Sequence, residues 1–80
     1  MVIDGALYIG GTLLATGRCS LWPDDKPATG SMLGGTHSLL NYDQLKLQLA
    51  SGETLNILPR RIEYAADRQA ILVFDVVPDS

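Results

Sequence analysis

Cysteine, histidine, tryptophan and phenylalanine each occur once among the 80 residues, so the usual materials of small metal centres and enzymes are scarce. One cysteine, Cys19, excludes an internal disulfide and a multi-cysteine zinc site, and folding must rest on packing and strand pairing. It lies in the apolar stretch Cys19-Ser20-Leu21-Trp22 and is read as a small core residue, with no histidine close in sequence to activate its thiol. No apolar run approaches the ~18 residues of a membrane helix. The start, Met1-Val2-Ile3-Asp4-Gly5, has no basic region ahead of an apolar stretch, so no secretory signal is read and a cytoplasmic location is expected by default. Charge is sparse, at 19% of residues, and the balance is acidic, with a formal net charge of -3. An acidic domain has no global attraction to phosphate backbones or anionic lipid, so neither nucleic acid nor a membrane surface is the expected partner. There is no internal repeat and no low-complexity tract.

What is present is apolar: 46% of residues are hydrophobic, which argues against intrinsic disorder. A chain of this length is expected to form one domain over residues 1–80, burying only about 60% of the surface its unfolded form exposes. A deep enclosed active site would compete with so thin a core.

Glycine and proline punctuate a series of β-prone runs. Gly10-Gly11 separates Val2 to Ile9 from Thr12 to Trp22 and reads as a two-residue hairpin loop, setting Tyr8 opposite Leu13 and Leu7 opposite Leu14. Gly17 interrupts the second run, and a bulge or tight bend is expected there. Pro23 to Thr29 reads as a loop, Gly30 to Leu33 as a short strand, and Gly34 to Ser38 as a flexible loop. Leu45-Lys46-Leu47-Gln48-Leu49 alternates strictly and predicts a half-buried strand. A three-residue loop, Ala50-Ser51-Gly52, then sets Leu47 against Leu55 and Leu45 against Ile57, keeping apolar partners on one face. Leu55 and Ile57 are followed, out of parity, by Ile62 and Tyr64, so a kink or bulge is expected near Pro59-Arg60. Over Arg60 to Ala70 the spacing of Ile62, Ala65, Ala66 and Gln69 also suits one short helix. The last strand is Ala70 to Val77, ended by Pro78. The expected fold class is all-β: five to seven short antiparallel strands in a small barrel or sandwich.

Several residues are candidates for chemistry. Asp24-Asp25 would serve as paired acids or a cation site, but no carboxylates follow at calcium-loop spacing, and turn-forming aspartates are the simpler reading. His37 would need a nucleophile and an orienting group to act as a base, which makes a hydrolase the least favoured reading. Gly30-Ser31-Met32-Leu33-Gly34-Gly35 is glycine-rich, but no Gly-Lys-Ser/Thr follows, so it is not a P-loop. No metal and no cofactor is expected. Arg60-Arg61, with Arg68 nearby, is the main basic cluster and is the candidate ligand-binding pair for a small anion, against the plainer alternative of arginines paired with Glu63 or Asp67. Trp22 is either an exposed recognition aromatic or the closure of one end of the core.

The final strand carries the most informative departure from alternation. Ala70, Leu72, Phe74 and Val76 share one face, and Ile71, Val73 and Val77 share the other, interrupted by Asp75. Only one set can enter a small barrel, so Ile71, Val73 and Val77 are the candidate interface, meeting a second copy, another protein or a covering segment of the chain itself.

The Leu-x-Leu-x-Leu strand, the Ser-Gly turn and the Ile-Leu-Val-Phe strand of Leu45 to Val77 resemble the later strands of PilZ-type barrels. The resemblance implies a six-stranded barrel and cyclic di-GMP as ligand. The PilZ motif, a spaced arginine pair followed by Asp/Asn-x-Ser-x-x-Gly, is matched here only at Ser31 and Gly34. Thr29 takes the acidic or amide position, and Arg18 stands alone ahead of it. The leading expectation is therefore a non-enzymatic interaction or structural module that self-associates, with an anion- or nucleotide-binding barrel as the alternative.

Overall fold

Alternation of apolar and polar residues makes one wall of each strand a core wall. In the computed structural model, which describes residues 1–22 and 28–77, six strands use that wall to close a barrel. They are β1 (Val2–Ile9), β2 (Thr12–Trp22), β3 (Thr29–Leu33), β4 (Leu45–Leu49), β5 (Thr54–Tyr64) and β6 (Ala70–Val77). All pairings are antiparallel, in the cyclic order β1-β2-β3-β6-β5-β4, with β1 on β4 as the closing pair. The fold is thus the barrel rather than the sandwich. The loop expected from Pro23, with Asp24-Asp25, and the stop at Pro78 lie outside the described residues; β3 already begins at Thr29.

The interior is filled by one inward row from each strand. Leu7, Cys19, Met32, Leu47, Ile57, Leu72 and Phe74 have no exposed surface, and Leu21, Leu45 and Leu49 have almost none. Each buried leucine, isoleucine or phenylalanine contributes about 1.5–3 kcal/mol relative to exposure. The 3-10 helix His37–Asn41, in what reads from sequence as a flexible loop, adds buried Leu39 to this core. Two glycines make room. A Cβ on Gly30 would stand 2.7 Å from the Phe74 ring, and one on Gly17 would stand 2.0 Å from the Leu33 carbonyl oxygen.

That close approach is what Gly17 is for, and it corrects the expected bulge. Gly17 pairs in register with Gly5, and the irregularity lies earlier, between Leu7 and Tyr8. Tyr8 does face Leu13, but Leu7 faces Ala15 and not Leu14. Leu14 and Ala15 both pack against the core, so the bulge turns two successive apolar side chains the same way.

The second half follows its pattern closely. β4 is buried, exposed, buried, exposed, buried along its five residues. Leu47 pairs with Leu55 and Leu45 with Ile57, across a loop in which Gly52 takes φ 95°. The β5–β6 register breaks between Pro59 and Arg61, where the parity change predicts it. The helix considered over Arg60 to Ala70 does not form: β5 stays paired with β6 as far as Tyr64↔Ala70. A tight loop follows, with Arg68 N–H donating to the Ala65 carbonyl and Ala65 N–H to the Gln69 carbonyl. Continuous ladder bonding on β6 outweighs the helical spacing of four residues.

Candidate functional site

The bulge at Pro59–Arg61 decides where two charges go. Pro59 is buried and pairs with Phe74, on the inner face. In an unbroken strand Arg60 would point out and Arg61 in. The extra residue resets the parity, so Arg61 pairs with Val73 on the outer face and both arginines are exposed. Ile62 then takes the inward position, packed against the core.

Register across β3, β6 and β5 fixes what surrounds them. Val73 lies between Ser31 and Arg61, and Ile71 between Leu33 and Glu63. Asp75 lies between Thr29 and Leu58, and Val77 beside Asn56. The inner row of β6, Leu72 and Phe74, is fully buried, while the outer row, Ile71, Val73, Asp75 and Val77, is half-buried. Trp22 pairs with Thr29 at the far side and is 50% exposed, so it is a surface aromatic and not a plug of the core. Together these form an open groove of about 660 Å³ on the outer wall, with Ile71, Val73 and Ser31 as floor, Trp22 on one flank and Arg60 and Arg61 on the other.

Both arginines have partners. Arg60 Nε donates to Asp75 Oδ2 at 2.5 Å, and Arg61 Nε to Glu63 Oε1 at 2.8 Å. Glu63 is the pairing that sequence suggests; Asp75 is not, because it becomes a neighbour only through the β5–β6 register. The four charges cancel within the groove. Asp75, whose side chain is only 17% exposed, is the more sheltered carboxylate.

The remaining candidates lie elsewhere. His37 Nε2 is 2.7 Å from the Tyr64 hydroxyl, a contact that ties the 3-10 helix to the end of β5. Arg18 Nε lies 3.7 Å from Asp4 Oδ1 across the β1–β2 pair. Arg68, at φ 68°, is a turn residue of the β5–β6 loop. Ser31 reaches the groove, whereas Gly34, at φ 92°, is a turn residue after β3. Burial raises the Cys19 thiol to about 11, helped by the negative charge of Asp4. Among the described residues no cluster of three histidine, cysteine or acidic side chains can hold a metal, and no helix is long and apolar enough to cross a membrane.

Comparison of the chain with known protein families, curated proteins and solved structures gives no match.

Proposed function

We propose that this domain is a non-enzymatic interaction module that docks a protein partner on the outer wall of β3, β6 and β5. The observation that carries the reading is the outer row of β6. Ile71 and Val73 face away from a barrel whose interior is already filled, so their apolar surface is surplus to the core. Their surroundings have the composition of a docking site: an apolar centre with tryptophan and arginine at its margins. The lone thiol is compatible with a reducing compartment, and the cytoplasm is the setting we propose.

A second reading, capture of a small anion or nucleotide, draws on Arg60 and Arg61 standing together on one flank with Trp22 opposite. The electrostatics favour the first. Each guanidinium is held by a carboxylate within 2.8 Å, so an incoming phosphate would meet Asp75 and Glu63 as well as the arginines.

The test is Val73→Asp. If the outer row serves docking, the variant keeps its strand circular dichroism and melts within a few degrees of the parent, because the new carboxylate points to water. Unfolding would make the row part of the domain's own core and end the docking reading. Titration with inorganic phosphate and with nucleotides, followed by the amide signals of Arg60 and Arg61, separates the alternative: saturable shifts would favour it.

A further inference from the structure

The docking wall has a charge order that is complementary to itself. Along the strand direction, Glu63 stands at the level of Ile71 and Arg61 at the level of Val73. Two residues of strand separate the levels, about 7 Å. A two-fold axis lying in the wall, running across the strands midway between the two levels, brings two walls face to face and exchanges the levels. It sets Arg61 of one copy against Glu63 of the other, twice, and brings Ile71 onto Val73, twice. Acid meets base and apolar meets apolar under one operation. From this juxtaposition we infer that the occupant of the groove is a second copy of this chain, in an isologous dimer centred between Ile71 and Val73. The inference rests on the docking reading above.

Two further features agree. The chain carries a net charge of -3, so two copies repel at most orientations, but the groove holds two basic and two acidic side chains and is neutral. Trp22 and Arg60 lie farther from the proposed axis, where each would rim the apolar centre and shield it from water. A standard interface covers about 800 Å² per partner, roughly a sixth of the 5084 Å² surface, which suits one wall of a six-stranded barrel.

Sedimentation equilibrium of the full chain, run up to about 1 mM so that weak contacts still register, gives the first reading. The expected result is a rise with concentration from 8.6 kDa to twice that mass. Arg61→Glu and Glu63→Arg should each weaken the dimer by about tenfold, because each sets like charges face to face. The two changes combined should restore it. Both positions are exposed, and circular dichroism of each variant should match the parent.

A parent chain that stays at 8.6 kDa throughout overturns the second copy as occupant. It leaves the docking reading to the folding of Val73→Asp. A dimer that survives Val73→Asp moves the interface to another wall and overturns both. A dimer lost with Val73→Asp but not restored by the double charge exchange overturns the two-fold arrangement.

Discussion

β4 and β6 hold the same place in the barrel, one on each side of β5, yet only their inner rows are alike. Leu45, Leu47 and Leu49 on β4 answer Leu72 and Phe74 on β6, all essentially buried. Outside, β4 shows Lys46 and Gln48 to water, whereas β6 shows Ile71 and Val73, half-buried in a groove. A closed barrel asks only for the inner row. The fold therefore explains β4 completely and β6 by half, and the unexplained half is the surface on which we propose that a partner docks.

The comparison can be broken at the inner rows first. Phe74→Ala on β6 and Leu47→Ala on β4 should each cost about 2–5 kcal/mol in urea unfolding, since both side chains are fully buried. A loss on β6 much smaller than on β4 would mean that the two inner rows are not equivalent.

Among the described residues, the fully buried lining also holds one titratable group. Cys19 has its thiol raised from 9.0 to about 11 by burial and by Asp4, while in the unfolded chain it ionises near its ordinary value. The neutral thiol therefore supports the fold fully below pH 9, and that support is lost as pH climbs towards 11. The displacement corresponds to roughly 3 kcal/mol at most. Melting temperature against pH, for the parent and for Cys19→Ala, should diverge in slope over that window. Parallel slopes would place the thiol in contact with water.

The outer rows should behave differently. Replacing Ile71 and Val73 together by lysine and glutamine gives β6 the outer chemistry of β4. Stability should stay within about 1 kcal/mol, as is usual for surface positions. A loss of several kcal/mol in urea would show that the outer row belongs to the core after all.

The smallest effect distinguishes the loops beside the two strands. The β4–β5 loop gives its left-handed position to Gly52, at φ 95°, whereas the β5–β6 loop gives its own to Arg68, at φ 68°. A side chain in that region costs on the order of 1 kcal/mol, so Arg68→Gly should raise stability by about that much or less. A thermal melt that falls instead would assign the Arg68 side chain a supporting contact.

Much of the second half was legible because its patterns admit one parity. Strict alternation in Leu45 to Leu49 left a single inner row, and matching that row against Leu55 and Ile57 selected the three-residue loop. The jump from Ile57 to Ile62 demanded an odd residue near Pro59. The first half was harder for a physical reason. Leu13, Leu14 and Ala15 are all apolar, so either parity satisfies the core locally, and the bulge between them leaves no mark in the pattern. The site was legible only in pieces. Arg60 with Arg61, Ile71 with Val73, and Trp22 each stood out alone. Their meeting in one groove depends on β3 lying between β2 and β6, a long-range pairing that no local pattern encodes. Asp75 as the partner of Arg60 was hidden because the two lie 15 residues apart and meet only through the β5–β6 register.

The cyclic strand order also has a consequence in time. β3 borders β2 on one side and β6 on the other, and β6 is the last of the described strands. During synthesis, at about 5–20 residues per second, β3 must wait a few seconds with one edge bare before its second neighbour emerges. The far edge of β5 waits with it, also for β6. The final strand is thus the keystone of the ring: any nascent or shortened chain ending before Ala70 offers two open ladders to whatever strand comes first.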